Sequence, residues 1–401
     1  MFIEKLHVPF SFYKTEYVYF DENNKYLNNN NNKPNILNLC TVFKFDGLIM
    51  HALAQHKAHI KNNFNSYILL LKGSDLEQKF IEEKISYYRV ATSQIFRPHR
   101  QPGITKVVKA IVDKHNINII NCNRHKEYLM CKKINNLNTK IILTRHSPSP
   151  LKSKYLKIFK NVLCVDQNCI DKINLKCQKE NLTAPRMQHL APFFDERESL
   201  NFNFNNMPDK KTFFKKEFNI DLPYYPNIVK VACLRGYKNH PVIFKAVQKL
   251  VYEKNTPVNL LLCGDGYRKK ELQKLAKDLN IEKYVYFLGF TSKRIEVMYY
   301  SDIKALSTKD EAFGIVLMEA ALLKKPLVGP TNTGVTNTIK HEHTGLLFEN
   351  GNPQDMANKL EILINNPELR IKYGQNAYNH VKNNFLSDAL IKKLEEFYKT
   401  I

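Results

Sequence analysis

The segment IKALSTKDEAFGIVLMEAALLKKPLVGP, residues 303–330, decides the fold. An apolar run ends near Ser307, a short polar loop follows, and a longer apolar stretch then leads into a second β-prone run. This order predicts a strand, a loop, a helix and a second strand. The first turn of that helix is expected to contain Phe313, Gly314 and Ile315. A strand followed by a helix and a further strand is the repeating unit of a parallel sheet, so the segment predicts an α/β protein.

The same alternation of short β-branched runs and longer amphipathic stretches extends in both directions from this segment. Strands are predicted at NILNLCTVF (35–43), SYILLLKG (66–73), INIINC (117–122), TKIILTRH (139–146), KNVLCVDQ (160–167), NIVKVACL (227–234), VNLLLCGDG (258–266), YVYFLGF (284–290), IKALST (303–308) and PLVGP (326–330). Most of these runs are apolar throughout, which is typical of parallel strands covered on both faces. The strand rhythm lapses in the middle of the chain, where polar residues and prolines cluster, and a domain boundary is predicted near residue 205.

These elements predict two Rossmann-like α/β domains that face each other across a cleft. We expect residues 1–205 to form an N-terminal domain, residues 206–380 to form a C-terminal domain, and residues 381–401 to form a helix that packs back on the N-terminal domain. Near the end of the second domain, Asn352 is expected to cap a helix whose first position is Pro353. Folds of this kind bind nucleotides at the carboxyl ends of their strands.

The composition is that of a folded protein with an excess of positive charge. Hydrophobic residues make up 43% and charged residues 25% of the chain, and no apolar run has the length of a membrane-spanning helix. The N-terminal segment lacks the pattern of a signal peptide, so a cytoplasmic protein is expected, soluble or peripheral at the inner face of a membrane. The net charge of +23 attracts nucleic acid, phosphorylated sugars or anionic lipid. A Lys- and Asn-rich composition without functional meaning is the alternative.

Two further features have structural interpretations. The tract from Asp21 to Pro34 is polar and rich in Asn, and it predicts a flexible connection. The eight cysteines lie mostly in apolar runs and lack the paired spacing of zinc or redox motifs, so we interpret them as buried free thiols. We expect no bound metal and no cofactor.

Two acidic residues flank the start of the helix in the deciding segment. Glu311 precedes the helix and Glu319 lies inside it, so two carboxylates are expected at different depths of one site. The unpaired N–H groups and the dipole of the helix start suit a diphosphate or a sugar hydroxyl, and Gly314 leaves the approach open. Taken alone, Glu311 is also compatible with a helix cap, and Glu319 with a solvated helix position.

The order of several motifs resembles the retaining glycosyltransferase family 4, which has the GT-B fold. Glu311 and Glu319 are separated by seven residues with Phe-Gly between them, which looks like the signature of that family. Further pieces follow in the family's order: VACLRGYKNH (231–240), LLCGDGYRKKELQKLAKDL (261–279), VYFLGF (285–290), MYYSDIKALST (298–308) and HTGLLFENGNPQDMANKL (343–360). Each piece alone is a weak signal, and the ordered set carries the resemblance.

The resemblance implies roles for residues of the C-terminal half. Glu319 would hydrogen-bond the ribose hydroxyls of a nucleotide-sugar donor, and Glu311 would hold the transferred sugar. Lys238 and Arg235 would neutralise the donor diphosphate, because cations already in place stabilise the charge that develops on the leaving group. The family's usual arginine falls at Cys233 here, two residues before Arg235. The other implied donor contacts are Phe290 beside the base and the backbone of Ala312, Phe313, Gly314 and Ile315.

Gly264, Asp265 and Gly266 form a predicted turn directly after a strand and before a helix. The resemblance implies that the donor approaches the backbone there. The glycines are equally compatible with a plain tight turn.

The resemblance is weaker in the N-terminal half. Gly47 is implied as a donor contact by its place after the first strand of the domain. His146, in the loop TRHSP, is the candidate for a histidine near the reacting sugar, and the alternative is an ordinary loop histidine. Arg124 and His125 lie at another predicted strand end, where they would face the acceptor.

The implied reaction is a retaining transfer from a nucleotide diphosphate sugar, with a UDP-sugar as the first expectation. The acceptor would be a glycan or lipid-linked acceptor of polysaccharide or lipopolysaccharide synthesis. The resemblance implies no enzymatic nucleophile, so catalysis would rest on positioning and on stabilisation of the leaving group. The rivals are a sugar-nucleotide epimerase or phosphorylase of the same fold and a basic nucleic-acid-binding protein. No nucleic-acid-binding module accompanies the charge, so no nucleic acid is expected as partner.

Overall fold

The chain was analysed in a computed structural model that describes residues 1–8, 15–20, 33–42, 47–91, 102–146, 151–331 and 333–401. Nearly all of the Asn-rich tract lies outside the described residues. The chain divides into two compact units, one formed by Met1–Asp195 with Ser387–Ile401 and the other by Glu196–Leu386. Each unit is an α/β structure built on a largely parallel sheet.

The described part of the first unit contains a nine-stranded sheet. Its strands are β1 (Phe2–Lys5), β2 (Thr15–Tyr19), β3 (Ile36–Cys40), β4 (Ser66–Leu71), β5 (Tyr87–Val90), β6 (Ile119–Cys122), β7 (Lys140–Arg145), β8 (Asn161–Cys164) and β9 (Arg186–His189). Its helices are α1 (Gly47–Lys61), α2 (Asp75–Glu82), α3 (Pro102–Lys114), α4 (His125–Cys131), α5 (Ser153–Leu156), α6 (Gln167–Lys179) and, from the end of the chain, α15 (Ser387–Thr400). The strands β3 to β9 are parallel, while β1 and β2 pair antiparallel at the β5 edge.

The second unit contains a six-stranded sheet in its described residues, and all strand pairs are parallel. Its strands are β10 (Asn227–Val231), β11 (Asn259–Cys263), β12 (Val285–Gly289), β13 (Ile303–Ala305), β14 (Leu327–Pro330) and β15 (Gly345–Phe348). Its helices are α7 (Arg197–Leu200), α8 (Lys210–Phe218), α9 (His240–Tyr252), α10 (Lys269–Asp278), α11 (Arg294–Tyr299), α12 (Ile315–Leu322), α13 (Pro353–Ile364) and α14 (Pro367–Asn384).

The strand order of the two sheets fixes where a ligand can bind. The parallel strands follow the order β5-β4-β3-β6-β7-β8-β9 in the first unit and β12-β11-β10-β13-β14-β15 in the second. Both orders reverse direction once, between β3 and β6 and between β10 and β13. In open α/β sheets, ligands bind beyond the carboxyl ends of the strands at such a reversal. The loops that follow these four strands are therefore the expected places for a site.

All ten predicted strands are present, each shorter than the quoted run. Strands such as β3, β4 and β11 are buried along their whole length, as parallel strands covered on both faces should be. The predicted cap is also found, because the side chain of Asn352 accepts hydrogen bonds from the first turn of α13. None of the helices in the described ranges combines the length and the apolar character that a membrane span requires.

Five strands were not predicted. The strand β1 is mostly exposed, and β9 carries the sequence RMQH, so neither shows an apolar run. The strands β2, β5 and β15 are only four or five residues long. The final helix also starts later than residue 381, because α14 continues to Asn384 and the chain leaves helical geometry at Phe385 before α15 begins.

The last helix is tied to the sheet of the first unit by a buried polar network. The hydroxyl of Tyr398 accepts a hydrogen bond from Nδ2 of Asn121 at 2.9 Å and lies 3.1 Å from Nε2 of His59. Nδ2 of Asn121 also donates to Oδ1 of Asn38 at 3.1 Å. Because Asn121 is on β6 and Asn38 is on β3, the network joins α15 to the two strands at the order reversal.

We expect Tyr398→Phe to destabilise the first unit, since it removes a buried hydrogen-bond partner from both Asn121 and His59. The free energy of unfolding should fall by about 1–3 kcal/mol, measured by urea denaturation. The matched control is Lys61→Ala, which removes an exposed ion pair of 2.7 Å between α1 and Asp388 of α15. This variant should lower the free energy of unfolding by less than about 1 kcal/mol. Equal losses in the two variants would contradict the anchoring role of the network.

Candidate functional site

An ion pair joins the loops that follow β10 and β13, the strands at the order reversal of the second unit. Nζ of Lys238 lies 2.7 Å from Oε2 of Glu311, and each side chain is 17% exposed. The structure thus brings together two residues to which the sequence assigns adjacent roles. Arg235 starts the same turn and is exposed to solvent.

The turn that carries Lys238 is held by the loop after β13. Gly236–Lys238 forms one short 3₁₀ turn, and Asn239 then adopts a left-handed φ of 47° that directs the chain into α9. The N–H of Lys309 donates to the carbonyl of Tyr237 at 3.0 Å. Oγ of Ser307 donates to the carbonyl of Asn239 at 2.9 Å. The position of the Lys238 ammonium is therefore set by contacts on both sides of the reversal.

The backbone around Glu311 is held from the loop after β14. The N–H of Gly334 donates to the carbonyl of Glu311 at 2.7 Å. A Cβ placed on Gly334 would lie 1.8 Å from the carbonyl oxygen of Ala312. Only glycine permits this approach, so the backbone at Glu311 and Ala312 is fixed by the loop after β14 as well as by the ion pair.

Glu319 is buried and not a solvated helix residue. Its side chain lies in α12, the residue is 5% exposed, and Oε1 accepts a hydrogen bond from Arg294 at 3.1 Å. Oε2 is buried without a hydrogen-bond partner among the described residues. The same holds for Nζ of Lys304, which is fully buried on β13. Burial lowers the pKa of Lys304 to about 7, against the opposing fields of Cys263 and Glu319.

The helix α12 begins at Ile315, so the prediction that Phe313 and Gly314 lie in its first turn is wrong. Gly314 is the N-cap with a φ of 84°, a left-handed conformation that a right-handed helix cannot contain. The ring of Phe313 is buried against Phe385 with centroids 5.2 Å apart, which leaves its backbone as the available part. Phe290, directly after β12, is 84% exposed.

Close packing inside the second unit explains why glycine occupies positions 264 and 266, after β11. A Cβ on Gly264 would lie 2.1 Å from the carbonyl oxygen of Ala232, and one on Gly266 would lie 2.6 Å from that of Leu234. The N–H of Leu234 donates to the carbonyl of Asp265 at 2.9 Å, so the loops after β10 and β11 are in direct contact. The Asp265 side chain is exposed and accepts from the N–H of Gly266. A role for these residues in donor binding stays a prediction.

In the first unit, His146 follows β7 and meets residues of neighbouring loops. Its Nε2 lies 3.2 Å from Oδ1 of Asn123, which follows β6, and its ring packs edge-on against His51 at 4.6 Å. Burial, and then the charge of Arg145, lowers the pKa of His146 to about 4. The imidazole is therefore neutral near pH 7. Nδ1 of His51 accepts from the N–H of Phe193 at 3.0 Å, which fixes the ring against which His146 packs.

The other N-terminal candidates lie at helix starts. Gly47 is the first residue of α1, and His125 is the first residue of α4. The N–H of Arg124 donates to Oε2 of Glu127 at 3.0 Å. Oε1 of the same carboxylate accepts from the backbone and hydroxyl of Thr41 at 2.8 and 2.7 Å. Glu127 thereby joins the loops after β3 and β6, the two strands at the reversal.

Three charged residues of the second unit were missed from the sequence: Lys230 and Lys304, which lie near Lys238, and Arg294, which donates to Glu319. Lys230 is fully buried on β10, and its Nζ donates to the carbonyl of Lys238 at 2.8 Å and to Oγ of Ser307 at 2.6 Å. For the two lysines the sequence does contain a signal, because each interrupts an otherwise apolar run, NIVKV (227–231) or IKAL (303–306). Lysine is almost never fully buried unless its amine has a partner.

The cysteine side chains are free thiols. Seven of the eight are buried and Cys233 is partly exposed, so the interpretation as buried free thiols holds for seven. Sγ of Cys233 lies 3.5 Å from the hydroxyl of Tyr237. No group of three or more His, Cys, Asp or Glu side chains that could hold a metal ion occurs in the part of the chain that the structure describes.

The second unit matches a known protein family. Residues 211–380 match the family model described as "Glycosyl transferases group 1". The N-acetyl-alpha-D-glucosaminyl L-malate synthase of Bacillus anthracis is 29% identical over 199 residues, which cover 48% of this chain and 52% of that protein. The chain spans about half, or less, of the length of this and other curated relatives.

Solved structures define the fold. A glycosyltransferase from Rickettsia africae superposes with a TM-score of 0.75 at 21% identity, over 92% of this chain and 98% of that chain. Anabaena HepE in complex with UDP-glucose gives 0.74 at 17% identity, over 92% and 100%. At these identities the likeness establishes the fold alone: the chain is an α/β protein of the GT-B type with two Rossmann-like domains. Within that class, residues 211–380 are similar to the group 1 glycosyltransferases.

Lys304→Met tests the buried ammonium on β13. The folded-state pKa of about 7 lies below the value of about 10.4 in an unfolded chain, so the folded protein binds fewer protons between these values. Stability therefore rises with pH across this window, by about 1.4 kcal/mol per pH unit for this one group. We expect the variant to lose that part of the slope between about pH 7 and about pH 10. Urea titrations measure it, and an unchanged slope would count against a buried, titrating Lys304.

Proposed function

We propose that the protein is a retaining glycosyltransferase of family 4, of the hexosyltransferase type, that uses a nucleotide diphosphate sugar as donor. The observation that carries the proposal is the ion pair of Lys238 and Glu311 at the order reversal of the second sheet. A mostly buried ammonium on a turn that hydrogen bonds hold in place is prepared to neutralise a diphosphate. Both residues lie within the region similar to group 1 glycosyltransferases.

The donor is expected to lie across the loops that follow β10, β11, β12 and β13. Lys238 and the exposed Arg235 neutralise the diphosphate, while the carboxylate of Glu311 turns to the hydroxyls of the transferred sugar. The unpartnered Oε2 of Glu319 is a hydrogen-bond acceptor for the ribose hydroxyls. The exposed ring of Phe290 offers a surface for the base. A UDP-sugar is the first choice of donor, supported by the UDP-glucose bound to the Anabaena neighbour.

Catalysis would follow from positioning and from charge stabilisation. The acceptor hydroxyl attacks the sugar on the face from which the phosphate departs, and the proton of that hydroxyl passes to the departing phosphate oxygen. The backbone from Ala312 to Ile315 holds the sugar, and the turn at Gly264–Gly266 approaches the donor. In the first unit, Gly47 and the neutral imidazole of His146 are the residues to which the resemblance assigns a role in this reaction. Lys238 and Arg235 supply the positive charge, so transfer is expected to proceed in the presence of EDTA.

The acceptor is proposed to be a glycan or a lipid-linked glycan of cell-envelope polysaccharide or lipopolysaccharide synthesis. The net charge of +23 supports a peripheral place on an anionic inner membrane surface of the cytoplasm. Arg124 and His125, at the carboxyl end of β6, are the side chains proposed to face this acceptor.

We expect Lys238→Ala to lower sugar transfer on the order of 10²–10³-fold, because the leaving diphosphate loses a preorganised cation. The donor is identified first, by the rise in melting temperature with UDP-, GDP- and ADP-sugars, since a ligand of the folded state stabilises it by mass action. Release of the nucleoside diphosphate then gives the rate for each variant.

The matched control is Lys249→Ala, which removes a lysine of α9 that forms an exposed ion pair of 2.9 Å with Glu253. This variant should keep the parental rate. A parental rate in Lys238→Ala would remove the assigned role of that residue. If no nucleotide sugar raises the melting temperature, the proposed function as a whole is wrong.

A further inference from the structure

The turn that presents Lys238 rests on a second, fully buried lysine. Nζ of Lys230 donates to the carbonyl oxygen of Lys238 at 2.8 Å and to Oγ of Ser307 at 2.6 Å. Oγ of Ser307 in turn donates a hydrogen bond to the carbonyl of Asn239. One amine on β10 therefore holds both the turn after its own strand and the loop after β13.

The hydrogen bonds of Lys230 fit an uncharged amine. A neutral lysine has two N–H groups, and an ammonium has three. The described residues provide two acceptors, the Lys238 carbonyl and the Ser307 hydroxyl. A third buried N–H without an acceptor would cost free energy, and so would an unpaired buried charge.

The electrostatic surroundings favour the same form. Burial lowers the pKa of Lys230 well below its ordinary value, the charges of Lys238 and Lys304 lower it further, and Glu311 and Cys233 oppose them weakly. From α9, His240 also faces this group, and burial lowers its pKa to about 2, so it adds no charge near neutral pH. Burial is the largest of these effects, and the surrounding groups supply no excess of negative charge until an anion arrives.

We propose that Lys230 is a positioning residue of the donor site, which holds the turn carrying Lys238 and takes up one proton when a diphosphate binds there. The inference rests on the proposed function, since it assumes that a diphosphate binds at Lys238. A diphosphate adds negative charge to the side of the turn where Glu311 lies. The ammonium form of Lys230 is then favoured, and the proton comes from solvent. Lys230 acts through Lys238 and does not touch the donor.

Calorimetric titration of the full chain with UDP, GDP and ADP, in two buffers of different ionisation enthalpy, counts the protons taken up. At about pH 8, the wild-type protein should take up as much as one proton per nucleotide bound. Because the complex binds more protons than the free protein, affinity should fall as pH rises, by up to about tenfold per pH unit. Lys230→Met should bind with less proton uptake, the remainder being what Lys304 contributes, and its sugar transfer should fall on the order of 10- to 100-fold, because the ammonium of Lys238 is displaced.

The matched control is Lys325→Met. Burial lowers the pKa of Lys325 to about 8, and Asp302 is the charge that opposes this shift, so Lys325 is a titrating lysine outside the turn. It should show the proton count of the wild type. Circular dichroism checks that Lys230→Met is folded. Ser307→Ala is the milder second variant, in which the loss of one acceptor should reduce both the proton count and the transfer rate.

The outcomes separate the two proposals. If none of the three nucleotides binds the wild-type protein, the proposed function fails. If a nucleotide binds without proton uptake, the role of Lys230 is overturned and the function stands. Lys230 also loses its role, with the function intact, if Lys230→Met, or Ser307→Ala in its place, retains the proton count and the transfer rate of the wild type.

Discussion

The contact between Lys238 and Glu311 depends on the reversal of strand order in the second sheet. The strands β10 and β13 are neighbours in space, although two strands and three helices separate them in the sequence. Their following loops therefore leave the sheet side by side, and a cation from one can meet a carboxylate from the other at 2.7 Å. A one-residue shift of either loop would separate the pair. Two features prevent such a shift. They are the hydrogen-bonded turn at Lys238 and the close contact of Gly334 with the backbone of Glu311 and Ala312.

The second unit buries ionisable side chains near this contact, which is costly in a protein core. Lys230 and Lys304 are fully buried, and Glu319 is nearly so. Lys230 has its hydrogen bonds satisfied, while the terminal nitrogen of Lys304 and one carboxylate oxygen of Glu319 lack hydrogen-bond partners among the described residues. A half-satisfied polar network destabilises a fold more than an apolar replacement would. The proposed donor site would account for this cost.

The sequence predicted the sheets better than it predicted the site. Buried parallel strands are apolar throughout, so their pattern is visible locally, whereas edge strands such as β1 carry no such pattern. Glu311 and Lys238 could be selected as candidates from the sequence, because they lie in motifs whose order and spacing along the chain are recognisable. The contact of Lys230 with the Lys238 carbonyl has no such signal, since it depends on where the turn lies above the sheet. The start of α12 was misplaced for a related reason: the positive φ of Gly314 is a property of the backbone that an apolar run does not reveal.

Net charge alone says little about function in this chain, and burial decides which charges have consequences. Lysines such as Lys61 and Lys249 form ion pairs with exposed carboxylates that solvent screens, and each pair contributes little free energy. Lys238 differs because it is 17% exposed and already paired, so a bound anion meets a cation whose desolvation has largely been completed during folding. The value of +23 counts all lysines equally. It therefore left nucleic acid, lipid and phosphorylated sugar open as partners, whereas the proposed diphosphate site rests on the local arrangement of a few partly buried cations at the order reversal.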